Sequence, residues 1–459
     1  MTTAPQNSSV EFVRQEMVDE MPAPISQIGI VAWIRKNFFS SWFNGILTVF
    51  ALYLVAAWLP KILQFMVFDA VWTGTDRTVC TTEQQGGIQP DGWFGACWAY
   101  VAAYGDQFVY GRYPTEERWR VNIVFVLFFA SLIPLLMPKA PYKGLNITFM
   151  AVIFPVMAFV LLTGGHLNYE GFLLPESIMA PSLGKFIVDY LILTAIFSGI
   201  ALMIARGTES NPKPAIVTVL ALMGALAVVL FVMGIDFGLE PVITSVWGGF
   251  LVTMVIAVTG IAASLPIGIL LALGRRSELP IVRMFSIIFI EFWRGVPLVT
   301  VLFMSSVMLP LFLPEGVSFD KLLRALIGVT LFASAYMAEV VRGGLQAIPK
   351  GQYEGAMALG LSFWQMMRKI ILPQALKMVI PGIVNTFIGL FKDTTLVLII
   401  GLFDFLGMIQ NSFTDPSWAS PVQSISAYLF AATIYFIFCF GMSLYSRDME
   451  RRLDTGHKS

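Results

Sequence analysis

Ten apolar stretches, each close to the roughly 20 residues that a helix needs to cross a lipid bilayer, recur along this 459-residue chain. Short segments holding charge, Pro and Gly separate them. Hydrocarbon offers no water to backbone N–H and C=O groups, so each stretch must satisfy its own, which a helix does. The predicted spans are 40–64, 121–137, 145–163, 186–205, 215–235, 246–273, 284–310, 322–341, 379–402 and 427–445. Pro60 is expected to end the first early, and Glu291, Arg294 and Pro297 interrupt the seventh. A chain that is 57% hydrophobic and 13% charged cannot clothe a soluble globule of this length. The expected fold class is therefore an all-α integral membrane protein with about ten transmembrane helices.

Charge sets the expected orientation. Lys plus Arg and Asp plus Glu balance at 29 each, which leaves no basic excess for nucleic acid. With the N-terminus inside, nineteen of the Lys and Arg fall on the cytoplasmic side and eight outside, Lys185 among them, while Arg294 and Lys392 fall within spans. Cytoplasmic loops retain positive charge, so both termini are expected in the cytoplasm. Residues 1–37 are polar, contain Pro and lack a signal peptide's apolar region, and are read as a retained cytoplasmic tail. Two outside segments, 65–120 and 403–426, are long enough to be small structured features. Cys80 and Cys97 both fall in the first, where a disulfide can persist; two unpaired thiols is the competing reading. Cys439 lies within the last span and reads as a small packing residue.

Residues 348–376 (IPKGQYEGAMALGLSFWQMMRKIILPQAL) lie between the eighth and ninth spans on the predicted cytoplasmic side and are too polar to cross the bilayer. Helical spacing on both sides of Gly360 predicts a helix-turn-helix outside the membrane, the second helix stopping at Pro373. The segment resembles the signature loop of ABC importer permeases, in which Glu-Ala-Ala is followed after three residues by Gly and after nine more by Ile-x-Leu-Pro. Here Glu354, Gly355 and Ala356 precede Gly360, and Ile370, Leu372 and Pro373 complete the pattern. Gly355 replaces the first Ala, a small-for-small change that weakens helix propensity by about 1 kcal/mol.

The second half further resembles the polar amino-acid uptake permeases. The resemblance is carried by Trp247, Gly249 and Thr253, by Glu291-Phe-Trp-Arg294-Gly295-Val-Pro297, and by Tyr336 with Glu339 and Arg342-Gly343-Gly344. Gly351-Gln352-Tyr353-Glu354 and Lys392-Asp393-Thr394-Thr395-Leu396 complete it. It implies a five-helix type I importer core over 240–450, with a cytoplasmic coupling loop at 345–376. Residues 38–239, with Cys97-Trp98-Ala99 and Glu117-Arg118-Trp119-Arg120, look like the five-helix extension of the general L-amino-acid permeases of Gram-negative bacteria. Residues 451–459 would be a cytoplasmic tail.

The function implied by the resemblance is that of an inner-membrane permease subunit importing polar L-amino acids over a broad range. The implied partners are ATPase subunits acting as a dimer, a second and different permease subunit, and a periplasmic amino-acid-binding protein. Gln352, Glu354, Gly355, Ala356, Gly360 and Leu361 would contact the ATPase. ATP and Mg would reside on that partner, because no Gly-x-x-x-x-Gly-Lys-Ser/Thr loop occurs here. No catalytic residue, metal site or cofactor is expected in this chain, whose only histidines are His166 and His457. The competing reading is a self-sufficient secondary transporter or channel. It would not need a motor-docking segment, and no internal repeat relates 1–239 to 240–450.

Ionisable residues within spans are costly unless paired or facing water. Glu291 and Arg294, three apart, can neutralise each other, as a structural brace or along the pathway. Lys392 and Asp393 point about 100° apart on a helix. With Thr394 and Thr395 they offer a cation for a carboxylate and an anion for an amine; a gate or a bridge to the partner permease is the other reading. Glu339 and Arg342 read as a brace for the coupling loop.

Overall fold

The computed structural model describes residues 29–137, 139–165, 167, 173–174, 177–180, 182–207, 211–312 and 319–453. Most of the expected N-terminal tail (1–28), most of the C-terminal tail (454–459) and both histidines lie outside the described residues. In chain order the helices are α1 Gly29–Phe38, α2 Trp42–Leu63, α3 Trp98–Ala103, α4 Gly105–Tyr110, α5 Arg118–Leu136, α6 Lys143–Thr148, α7 Phe154–Thr163, α8 Leu183–Gly207 and α9 Pro212–Met233. They continue as α10 Gly249–Arg275, α11 Pro280–Gly295, α12 Leu298–Phe303, α13 Lys321–Ala347, α14 Lys350–Ala358, α15 Phe363–Met366, α16 Leu372–Met378, α17 Ile380–Asp393, α18 Phe405–Ser412 and α19 Gln423–Leu453. Among the described residues nine helices are long and apolar enough to cross a membrane, or ten if the bent pair Pro280–Gly295 and Leu298–Phe312 counts as one span.

The chain divides into two compact units. One comprises Met1–Ala70 with Trp93–Ala96. Within it α2 buries none of its residues, as expected of a helix whose solvent is lipid. The helix does not stop at Pro60: it continues to Leu63 and loosens into a π turn over Gln64–Phe68. Proline is tolerated within membrane helices. Trp93 Nε1 donates to the Asp69 carbonyl at 2.9 Å and the Ala96 N–H to that of Phe65 at 2.8 Å.

The second unit comprises Val71–Gly92 and Cys97–Ser459. Its centre is the crossing of α10 with α13, which small residues allow to approach closely. A Cβ added at Gly268 would lie 2.7 Å from Cβ of Met337. α17 lies on the same pair, with Leu390 against Gly260 and Gly382 against Val340. At the end where α10 begins, the two segments expected as outer features meet. The Cys97 N–H donates to Ser426 Oγ at 2.8 Å, and the hydroxyls of Tyr100 and Tyr104 bond Ser412 and Asp415. The sulfurs of Cys80 and Cys97 are bonded, and both residues are buried.

The seventh predicted span is not a single rod. α11 and the helix from Leu298 meet at 105°, at the break that Gly295 and Pro297 make. α11 crosses the end of α10, so that Ser286 abuts Gly274 and Glu291 reaches Arg275.

Candidate functional site

The 348–373 segment joins the end of α13 to the start of α17 through three short helices. α14 begins after Pro349, whose fixed φ suits a helix start, and ends in a turn closed by two hydrogen bonds. Gly360 N–H donates to the Met357 carbonyl at 2.9 Å, and Leu361 N–H to that of Ala356 at 3.3 Å. This is a Schellman turn, whose reversal needs a residue in the left-handed region; Gly360 has φ +69°. Ser362 then caps α15 reciprocally with Gln365. The second helix does not stop at Pro373. A π turn over Met367–Ile371 runs directly into α16, so Pro373 lies within continuing helix.

One face of the segment is anchored and the other is open. Ala356, Met366, Met367, Ile371 and Ala375 are buried against Leu345, Val341 and Leu273. Gln352, Glu354, Gly355 and Gly360 are exposed, Leu361 is half-buried, and Met357, Leu359 and Trp364 present apolar surface that is 58%, 76% and 64% exposed. Of the six residues expected to meet a partner, Ala356 alone is turned inward.

Tyr353 fastens α14 to the ends of α10 and α13. Its hydroxyl donates to the Leu345 carbonyl at 3.0 Å and accepts from Arg276 Nη1 at 2.7 Å. The guanidinium lies 5.0 Å from the ring centre, within cation–π range. Arg276 is the C-terminal cap of α10. Tyr353 belongs to a motif that carries the family resemblance, yet the sequence gives it no role and gives none to Arg276; only the fold brings them together.

Arg275, the neighbour of Arg276, enters an ionic cluster that ties α10, α11 and α13. Arg275 pairs with Glu291 at 2.8 Å and lies 3.8 Å from Glu339. Glu339 accepts from Arg342 Nε at 2.9 Å and has Arg294 at 3.6 Å. Glu291 and Arg294 therefore do not neutralise each other as expected. α11 lays them against different partners, because α10 and α13 supply closer charges than the i,i+3 neighbour. Glu339 and Arg342 pair as expected, within a larger cluster.

Lys392 and Asp393 close α17, which tightens into a 3-10 turn over Thr394–Ile400. The Thr394 hydroxyl donates to the Phe391 carbonyl at 2.9 Å and that of Thr395 to the Lys392 carbonyl at 3.0 Å. Gly382 faces Val340, beside Glu339, so Lys392 lies about 15 Å of helical rise away from the ionic cluster's level. The two sets of pathway candidates are separate.

Sequence reasoning misses Lys185 and Asp189. Both belong to α8, within a candidate span, whereas Lys185 is expected just outside it, and they are 1% and 0% exposed. Asp189 accepts from the backbone N–H groups of Leu173 and Leu174 at 2.8 and 3.2 Å. Their i,i+4 spacing is the signal that could have found them.

Residues 264–455 match the family described as binding-protein-dependent transport system inner membrane component. Over 435 residues the chain is 44% identical to the inner membrane amino-acid ABC transporter permease protein YhdY of Escherichia coli, covering 95% of this chain and 96% of that one. Over 453 residues it is 42% identical to the glutamate/glutamine/aspartate/asparagine transport system permease protein BztC of Rhodobacter capsulatus, covering 98% and 100%. The probable glutamine ABC transporter permease protein GlnP of Bacillus subtilis is 34% identical over 209 residues, which cover 45% of this chain and 92% of that relative. A helical membrane chain of this kind is a permease subunit of a binding-protein-dependent transport system. Within that class, the chain belongs to the amino-acid ABC transporter permeases.

Proposed function

We propose that this permease imports polar L-amino acids over a broad range, driven by a separate ATPase that docks on residues 348–373. The observation that carries the reading is the segment itself: two short helices about the left-handed turn at Gly360, with one face anchored and the other exposed. The polar range is supported by the full-length match to a glutamate/glutamine/aspartate/asparagine permease. ATP and Mg belong to the motor, two copies of which act as a dimer beside a second, different permease subunit and a periplasmic binding protein. The match of about 45% of the chain to nearly a whole shorter permease supports a core over 240–450 preceded by an extension at 38–239. Both termini lie in the cytoplasm, which puts the coupling segment on the motor's side.

In the proposed mechanism Gln352, Glu354, Gly355, Gly360 and Leu361 contact the motor while Ala356 seats the helix. Closure of the ATPase dimer displaces α14. Tyr353 passes the displacement to Arg276 and the end of α10, and Arg275 carries it to Glu291 and Glu339 on α11 and α13. Three helix ends move together because one carboxylate, Glu339, is shared among three guanidiniums. Lys392, Asp393, Thr394 and Thr395, near the level of α10's middle, serve the passing zwitterion.

The test is uptake in proteoliposomes holding the permease pair with and without the ATPase. ATP-dependent uptake that disappears when the ATPase is omitted is expected. Accumulation driven by an ion gradient without it would establish the self-sufficient transporter instead.

A further inference from the structure

At the end of the core opposite the coupling segment, a cavity of about 220 Å³ opens among the starts of α10 and α13 and the turn after Ile400. Arg112 joins it from the N-terminal half, its backbone N–H bonded to the Val246 carbonyl at 3.0 Å. None of its lining residues belongs to the coupling segment, the ionic cluster or the 392–395 group.

The lining carries both signs of charge. Arg112 and Lys321 supply cations, and the Arg112 guanidinium lies 5.7 Å from the Phe403 ring centre. Asp320 supplies the carboxylate. One of its oxygens accepts from the N–H groups of Leu322 and Leu323 at 2.8 and 3.3 Å, and the other from the Thr244 hydroxyl. Trp247, also in the lining, contributes its ring and is only 7% exposed.

We infer that this cavity receives a single free α-amino acid and holds it by both charged ends. The α-carboxylate meets Arg112 and Lys321, and the α-ammonium meets Asp320. The volume is room for roughly seven waters, enough for one amino acid of about ten non-hydrogen atoms and too little for a peptide. Recognition by the α-groups alone leaves the side chain unread, which suits a broad range. This inference rests on the proposed import of amino acids and deepens it: substrate pauses at this mouth before it enters the membrane.

The test uses the intact complex, this chain with its partner permease and ATPase, in nanodiscs without binding protein, and measures equilibrium binding of radiolabelled L-glutamine and L-glutamate. Saturable binding of one amino acid per chain is expected. Arg112→Gln and Asp320→Asn each weaken it at least tenfold. Asparagine also caps helices, so Asp320→Asn leaves the start of α13 intact. N-acetyl-L-glutamine, which lacks the ammonium, and L-glutaminamide, which lacks the carboxylate, do not compete. Wild-type affinity in both charge variants overturns the site. So does an absence of saturable binding in a complex that still takes up amino acid when loaded binding protein is added, which leaves the import reading standing. No uptake of any amino acid under any condition overturns both.

Discussion

Replacing Tyr353 by Phe removes one oxygen and leaves the ring. The lost atom accepts from Arg276 at 2.7 Å and donates to the Leu345 carbonyl at 3.0 Å, while the guanidinium keeps its place 5.0 Å from the ring centre. A hydrogen bond to a charged group contributes about 1.5–3 kcal/mol. Tyr353 is half-exposed and Arg276 retains the Leu345 carbonyl at 3.3 Å, so the lower end, about 1–1.5 kcal/mol, is the appropriate magnitude. If α14 drives α10 through this contact, that loss slackens the linkage between motor and membrane roughly tenfold. The assay is amino acid imported per ATP hydrolysed, in proteoliposomes supplied with loaded binding protein. The variant should assemble with its partners and import several-fold less per ATP than wild type. A wild-type ratio would show that force does not pass through Tyr353 and would refute the relay.

Other consequences are as direct. A Cβ at Gly355 would meet nothing within 4 Å, so Gly355→Ala should stabilise α14 by about 0.5–1 kcal/mol, read as raised thermal stability with uptake retained. The Cys80–Cys97 bond closes a separation of 17 residues, and Cys80→Ser with Cys97→Ser should cost about 3 kcal/mol, seen as earlier proteolysis in the 71–110 region. Burial pushes the Asp404 carboxyl up to about 6 from 3.8, and the Gly407, Leu406 and Tyr435 donors only partly offset it. A carboxyl with a raised folded-state pKa binds more protons folded than unfolded, so its cost is present at pH 7 and relieved as pH falls through about 6 toward 3.8. Wild type should therefore gain thermal stability relative to Asp404→Asn between pH 7 and pH 5; parallel curves would rule this out.

The membrane helices are legible in the sequence because hydrophobic length is a local property. So is the turn at Gly360, since Glu354 and Pro373 bracket it at a spacing that leaves little else. What sequence spacing does not supply is the choice among competing partners. Glu291 and Arg294 are good neighbours on an isolated helix, but the bend after Gly295 lays α11 across α10, where Arg275 reaches Glu291. Tyr353 and Arg276 are joined across 77 positions, and Tyr100 and Ser412 across 312, contacts that no periodicity announces. Proline is a weaker stop than its local chemistry suggests: Pro60 and Pro373 both lie within continuing helix. Lys185 and Asp189 escape notice because a fourth span beginning at 186 leaves the lysine one residue outside it.

The measurement that bears most directly on the assignment is stimulation of the ATPase by loaded binding protein in reconstituted vesicles carrying Gly360→Val. Gly360 is exposed, at φ +69°, and a β-branched residue is strained there whatever the space, while every membrane helix stays as it was. A membrane-resident protein that has lost both stimulation and uptake is the expected result. Undiminished stimulation and uptake would contradict the claim that residues 348–373 couple this permease to its motor.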